Sequence, residues 1–296
     1  MRRDAFSDIH PAVSFALFAA VLVLTAFVLH PAVTGISLVS ACIYTIVLKG
    51  RRALLFDLLA VLPFIIVVAA LNPLFNHEGA TPLFYLWNGN AVTKEAVVYG
   101  LVSACMFAAL IMWFYCMNAV MTSDKVIFLF GRVLPALSLI FSMTLRFVPR
   151  LVSRIREVSA AQKSTSPPMK KGVVSGVRHG ISVISVTVGW ALESSVVMSD
   201  SMRSRGYGGR GRTAYALYRF TARDALLAAL AAAFTAAFVW AAASKAVYFR
   251  SYPSVKCAPM SVGAVIGLAA FAGLCLMPAL LNAWENVKWR ILSSKL

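Results

Sequence analysis

The chain has 296 residues, of which 60% are apolar and only 13% are charged. About a quarter of the residues of a soluble domain are charged, and single soluble cores stop growing beyond about 250–300 residues. The composition therefore excludes an ordinary soluble domain and indicates a membrane protein. The net charge is +17, from 28 Lys and Arg against 11 Asp and Glu. Because most of the length is apolar, this charge does not indicate binding to nucleic acid.

Six apolar segments reach the 17–20 residues or so that a helix needs to cross a bilayer. They predict an all-α integral membrane protein with spans at about residues 13–29, 32–48, 53–71, 96–120, 225–243 and 261–281. We therefore divide the chain into three parts. These are residues 1–121 with spans one to four, residues 122–223 as a cytoplasmic domain of long helices, and residues 224–296 with spans five and six and a cytoplasmic tail.

The basic residues favour one orientation. If the N-terminus is cytoplasmic, six spans return the C-terminus to the same side, and 24 of the 28 Lys and Arg residues lie there. Only Lys94, Lys245, Arg250 and Lys256 remain on the other side. The positive-inside rule therefore predicts cytoplasmic N- and C-termini.

The segment 122–223 contains three amphipathic helices. The first is capped by Ser123 and Asp124 and continues to about residue 140, and the second covers about residues 142–164 and carries four arginines. The third runs from about residue 172 to 205, with Gly206 as its C-cap. The apolar stripes of the second and third helices contain Leu145, Val148 and Val152, and Ile181, Ile184, Val188 and Leu192.

The third helix is the segment with two possible placements. Its uncharged core between His179 and Glu193 has 13 residues and includes Ser, Thr and Gly. This is shorter than a bilayer requires. We therefore favour a cytoplasmic helix over a seventh span.

Enzyme and metal-site signatures are weak. Residues 206–211 fit G-x-G-x-x-G, but a dinucleotide site needs a strand before this motif and a helix after it. Here a helix precedes the motif and a basic segment follows. The chain has no Walker A motif, and its five cysteines form no metal-binding pattern. We therefore predict no catalytic residue, no cofactor and no metal site.

Arg205 lies at the end of the third helix between the small residues Ser204 and Gly206. Small neighbours allow its guanidinium to point outward and to pair in bidentate fashion with a carboxylate of a partner. The alternative is a local role, in which the cation stabilises the helix C-terminus by about 0.3–1 kcal/mol. The residues themselves favour partner contact and local stabilisation of the helix equally.

Several short motifs resemble, in order, those of the transmembrane T component of energy-coupling factor (ECF) transporters. These are vitamin and transition-metal importers of the ABC class. The motifs are NPLF at 72–75, GAT at 79–81, TKEA at 93–96, TSDK at 122–125, RFVP at 146–149 and SRGY at 204–207. The resemblance covers about residues 10–285, and the last motif is the most specific.

The resemblance implies a prokaryotic cell-membrane protein whose membrane domain is joined to long cytoplasmic coupling helices. It implies two partner ABC ATPase subunits, which receive arginines from short motifs at the helix ends. It also implies a substrate-binding S component, a membrane protein held by the apolar stripes. Ser204, Arg205 and Gly206 match the second of the two motifs.

The first motif departs from the family pattern. It should fall within residues 161–166, where Thr165 occupies the place of the arginine and Lys163, next to Ser164, is the nearest cation. Lysine lacks the planar fork of arginine. We therefore expect a weaker or different contact with one ATPase.

Two other functions remain open from the sequence. A stand-alone secondary transporter or channel would need several ionisable groups near the middle of its spans. A membrane-anchored scaffold would bind anionic lipid through its basic helices. The first would transport without ATP, and the attachment of the second would weaken as ionic strength rises.

Overall fold

A computed structural model describes residues 6–76, 78–85, 91–131, 135–165, 173–207, 218–257 and 259–293. In these residues the fold is an all-α membrane protein, as predicted. The helices are α1 (Pro11–Phe27), α2 (Pro31–Lys49), α3 (Arg51–Phe75), α4 (Lys94–Val120), α5 (Ser123–Gly131), α6 (Pro135–Thr165), α7 (Val173–Ser204), α8 (Ala222–Ala243) and α9 (Val262–Ser293). Two short antiparallel hairpins pair β1 (Pro82–Tyr85) with β2 (Ala91–Thr93) and β3 (Phe249–Arg250) with β4 (Lys256–Cys257).

Contacts between Cα atoms divide the chain into two compact units. The first unit joins residues 1–125 to residues 218–296 and contains α1–α4, α8 and α9. The second unit is residues 126–217 and contains α6 and α7.

The first two helices begin in the same way. His10 and His30 precede prolines at the first helical position, where a missing amide proton costs nothing. Each imidazole accepts a hydrogen bond through Nδ1, His10 from the amide of Ala12 at 3.3 Å and His30 from that of Ala32 at 3.2 Å. The break between the first two predicted spans is therefore present, at residues 28–30.

The core of the first unit lies where α1, α2 and α4 meet. The fully buried ring of Trp113 stacks on Tyr44 with 6.3 Å between centroids, and Phe18 lies 6.1 Å from Trp113. Trp113 Nε1 donates to Ser37 Oγ at 3.0 Å, and Ser37 Oγ lies 3.0 Å from Thr25 Oγ1. Such hydrogen bonds between helices satisfy buried polar atoms and specify one arrangement of the helices.

Among the described residues, five helices are long and apolar enough to cross a membrane, namely α2, α4, α7, α8 and residues 262–289 of α9. Helix α1 and residues 59–75 of α3 are apolar but shorter. Helix α7 belongs to the first group although the sequence favours a cytoplasmic helix. The reason is that the mean hydropathy of consecutive residues does not register how the polar side chains are distributed around the helix axis. The side of the membrane on which α7 lies stays a prediction.

One helix boundary differs from the prediction. The first amphipathic helix was expected to continue to about residue 140. In the structure it is interrupted, because α5 ends at Gly131 and α6 already begins at Pro135. Proline cannot continue a helix but is well suited to its first turn. As a result, α6 is 31 residues long and starts seven residues before the predicted position.

Candidate functional site

Helices α6 and α7 pack on each other in the second unit and run antiparallel, since Phe147 meets Trp190 and Ser159 meets His179. Near the end of α6, Ser159 Oγ lies 3.2 Å from His179 Nε2, and Gln162 Nε2 donates to Ser182 Oγ at 2.9 Å. The C-terminal turns of α6 therefore lie beside the N-terminal half of α7. These polar pairs link the helices at defined positions.

An aromatic stack joins the middle of the two helices. The rings of Phe147 on α6 and Trp190 on α7 are 5.7 Å apart and inclined by 13°. The guanidinium carbon of Arg154 lies 5.6 Å from the centre of the Trp190 ring, and Arg154 Nη1 pairs with Glu157 at 3.0 Å. Arginine contributes a cation–π contact here while it stays paired with a carboxylate.

The predicted apolar stripes do not form the contact between α6 and α7. On α7, Val183 and Thr187 are buried, at 5% and 3% exposed, on the face that includes His179 and Trp190. All stripe residues are 41% to 65% exposed, on α6 Leu145, Val148 and Val152, and on α7 Ile181, Ile184, Val188 and Leu192.

The two stripes lie on the same side of the helix pair. Successive residues are rotated by 100° around a helix axis. On both helices the centre of the apolar stripe is therefore rotated by roughly 100–130° from the centre of the face that contacts the other helix. On both, this rotation is in the direction of increasing residue number. Because the helices run in opposite directions, these two rotations point to the same side. The stripes therefore form one apolar surface.

The end of α7 presents Arg205 on a fixed backbone. Gly206 has φ +75°, the amide of Gly206 donates to Arg203 O at 3.0 Å, and that of Tyr207 donates to Met202 O at 3.0 Å. These two bonds form a Schellman motif, which confirms the predicted cap at Gly206. Arg205 is exposed. Ser204 is exposed too, and its hydroxyl donates to Ser201 O at 2.9 Å.

The end of α6 carries a different arrangement. Lys163, Ser164 and Thr165 are all exposed. The hydroxyls of Ser164 and Thr165 donate to the carbonyl of Ala161 at 2.8 Å and 2.9 Å. Lys163 is therefore the polar group of this turn that points to solvent without a bond to the helix backbone. Ser166, the last residue of the predicted first motif, lies outside the described residues.

An open cleft of about 860 Å³ lies between the N-terminal half of α6 and the C-terminal half of α7. Arg146, Arg150 and Arg205 line it together with Glu193 and the ring of Trp190. None of these three arginines forms an ion pair with any residue that the structure describes. The cleft is therefore suited to a segment that carries carboxylates.

Sequence reasoning missed the residues that connect α6 to α7. The polar pairs repeat a spacing of three on each helix, with Ser159 and Gln162 facing His179 and Ser182. Polar residues three apart share a helix face. This spacing was a usable signal, but it was obscured by the stronger apolar periodicity.

Residues 6–215 match the family model CbiQ, described as cobalt transport protein. This match covers more than two thirds of the chain. The chain belongs to this family. Its members are the T components of ECF transporters, which confirms the resemblance carried by the short motifs. We found no significant match among curated proteins.

Membership of the CbiQ family, together with the apolar helices, identifies a multi-pass membrane protein of ECF-type transport. It also indicates a component of a transport system without catalysis of its own.

Proposed function

We propose that this protein is the T component that transmits ATP-driven motion from two partner ABC ATPase subunits to a substrate-binding S component. The transported substrate is a transition-metal ion or a vitamin. Arg205, with Ser204 and Gly206, and Lys163, with Ser164 and Thr165, contact the ATPases. The apolar surface of α6 and α7 contacts the S component. The protein lies in the cell membrane of a prokaryote with both termini in the cytoplasm.

The observation that carries this proposal is the position of the two cationic ends at opposite ends of one helix pair. Gln162 touches Ser182, and Ser182 and Ser204 are 22 residues apart on α7. At 1.5 Å per residue the two ends are about 33 Å apart. This separation is about the diameter of a small domain, so it suits contacts with two subunits better than two contacts with one.

The apolar surface supports a membrane-embedded partner. A stripe of seven exposed aliphatic side chains on one side of a helix pair is expected to be covered by another protein or by lipid. An S component supplies such a cover. Rigid-body displacement of the helix pair would then reach the S component directly through this surface.

The two ends are expected to differ in strength. Arg205 offers a planar fork on a capped backbone, whereas Lys163 offers a point charge on a flexible stem. We expect the contact made by the α6 end to be the weaker one. Replacing Thr165, which is exposed, by arginine would restore the family pattern there.

The first test is Arg205→Glu in the complete complex, purified in detergent. We expect loss of ATPase association or of ATP-driven transport, because a bidentate pair with a carboxylate becomes a repulsive contact. Arg203→Glu is the matched control, since Arg203 is also exposed and lies in the last turn of the same helix. Normal transport by Arg205→Glu, or equal loss in both variants, would contradict the role given to Arg205.

Two milder variants test the nature of the contact. Arg205→Lys keeps a cation at the helix C-terminus but removes the fork. A local role in stabilising the helix predicts nearly normal assembly, whereas bidentate docking predicts clear weakening. Thr165→Arg should strengthen association at the α6 end, measured as slower dissociation of the ATPase pair.

The rival functions have distinct outcomes. Affinity purification of the native complex followed by mass spectrometry should identify two chains with a Walker A motif and a membrane protein. Uptake that continues without ATP would favour a secondary transporter or channel. Attachment that disappears at high ionic strength would favour a lipid-binding scaffold.

A further inference from the structure

Two oppositely charged side chains are buried in the first unit. Lys125 is 3% exposed and Asp224 is 4% exposed. Lys125 is the last residue of the first unit before the chain passes into the second, and Asp224 lies six residues after the chain returns at Tyr218. Burying a charge is unfavourable unless it is paired or hydrogen-bonded. The hydrogen-bond partners of Lys125 and Asp224 therefore show which segments these two side chains hold together.

The ammonium of Lys125 has three donors and three matched acceptors. Nζ donates to Ser7 O at 2.6 Å, to Ser7 Oγ at 3.0 Å and to Val120 O at 2.9 Å. Val120 is the last residue of α4, so the cation also lies at the negative end of that helix. Lys125 thus ties the start of α5 to α4 and to the N-terminal segment.

The carboxylate of Asp224 binds the same segment at the start of α8. Its Oδ1 accepts from the amide of His10 at 3.2 Å, and its Oδ2 accepts from the amide of Thr221 at 2.9 Å and from its hydroxyl at 2.8 Å. Thr221 and Asp224 form a capping box, and an anion is favourable at a helix N-terminus. The ring of His10 lies 5.4 Å from that of Phe220.

The N-terminal segment is itself held in the core. Phe6 and Ile9 are 1% and 2% exposed. The ring of Phe6 meets those of Phe18 and Tyr44 edge-on, at 5.7 Å and 6.3 Å between centroids. Ser7 and His10 are therefore fixed points and not parts of a loose tail.

We propose that Phe6–His10 is a clamp that fixes both places where the chain passes between the first unit and the second. Lys125 and Asp224 are its positioning residues. If the chain is held at both of these places, a displacement of α6 and α7 is transmitted to the first unit and is not absorbed by movement of the connecting chain. This role rests on the proposed coupling function, and it assigns a task to the TSDK motif that helix capping alone does not explain.

The experiment uses Lys125→Met in the complete complex in lipid vesicles, with Lys94→Met as the control. Methionine has a similar length without donors, and Lys94 is exposed at the first turn of α4. We measure substrate transported per ATP hydrolysed and hydrogen–deuterium exchange of residues 6–10. We expect retained ATPase activity, a transport ratio lowered several-fold, and exchange of residues 6–10 faster by about five- to thirty-fold. Lys94→Met should change neither the transport ratio nor the exchange of residues 6–10.

A second pair of variants keeps the proposal testable if Lys125→Met does not assemble. Asp224→Ala removes the acceptor of the His10 amide, whereas Asp224→Asn keeps one oxygen for it. Exchange of residue 10 should rise in the alanine variant and be largely restored in the asparagine variant. An unchanged transport ratio in an assembled Lys125→Met complex, or unchanged exchange in Asp224→Ala, would overturn the clamp. The exchange result does not depend on Arg205, so failure of the coupling function is recognised separately by Arg205→Glu.

Discussion

Replacing Gly206 by alanine tests whether the backbone cap presents Arg205. Gly206 has φ +75°, and a Cβ placed there would meet no atom within 4 Å. The cost is therefore conformational and not steric, about 1–2 kcal/mol for a residue with a side chain in the left-handed region. This corresponds to a change of about five- to thirty-fold in the equilibrium for opening the cap.

Hydrogen–deuterium exchange of peptides that contain residues 206 and 207 measures this opening directly. Both amides are donors in the cap, to Arg203 O and Met202 O at 3.0 Å each. In Gly206→Ala we expect these amides to exchange about five- to thirty-fold faster, and we expect the ATPases to associate more weakly. Asparagine tolerates the left-handed region, so Gly206→Asn should recover most of both properties.

Gly189→Ala is the matched control within α7. Gly189 is helical, and a Cβ there also meets nothing within 4 Å. The same substitution should stabilise the helix by about 0.5–1 kcal/mol, because glycine is unfavourable in a helix interior. If Gly206→Ala leaves both exchange and ATPase association unchanged, the Schellman motif does not determine how Arg205 is presented, and our reasoning about this end is wrong.

Substitutions at four further residues test other parts of the structure. Val188→Glu on the exposed stripe should weaken binding of the S component at least tenfold in pull-down, with α6 and α7 still folded. Val183→Glu on the buried face should instead destabilise the second unit by about 3–5 kcal/mol. Trp190→Ala removes the stack on Phe147 and a cation–π contact, so we expect a loss of about 1–2.5 kcal/mol in denaturant unfolding. Glu95→Ala, which removes the buried acceptor of Thr81, should lower the unfolding temperature of the detergent-solubilised protein by several degrees, and Glu95→Gln by less.

Apolar length and proline positions predicted most of the fold. The break between the first two predicted spans, the third amphipathic helix and its cap at Gly206 are all present in the structure. The start of α6 was wrong because the apolar spacing continues through residues 126–140, whereas the backbone follows Pro135. Periodicity describes which residues share a face, but it does not locate a helix end within a continuous stripe.

The sequence indicated candidate residues for partner contacts, but it did not indicate how they are arranged on the two helices. The stripe residues were identified as apolar positions, and all of them are exposed in this chain. The face that joins α6 to α7 instead contains the buried Val183, together with polar and aromatic residues such as Gln162 and Trp190. A sequence shows one helix at a time, so it does not show which of two faces meets the neighbouring helix.

The buried charges were missed for a related reason. Lys125 and Asp224 are 99 positions apart, and each is bound to a segment more than a hundred residues away, at Ser7 and His10. Local sequence patterns predict a lysine after a helix and an aspartate in a capping box as surface features. Only the tertiary structure shows that both contact one short segment.

The contacts between α6 and α7 make the two ends of this pair unequal. From the aromatic stack to the α6 end, hydrogen bonds of Ser159 and Gln162 join the helices. Toward Arg205 the pair is bordered by the open cleft of about 860 Å³. We therefore expect a displacement applied at Lys163 to act on a tightly joined part of the pair, and one applied at Arg205 to act on a part that borders an open cleft. On this argument the α6 end, with its lysine, should be the stiffer one, and the α7 end, with the capped arginine, should move more readily when a partner acts on it.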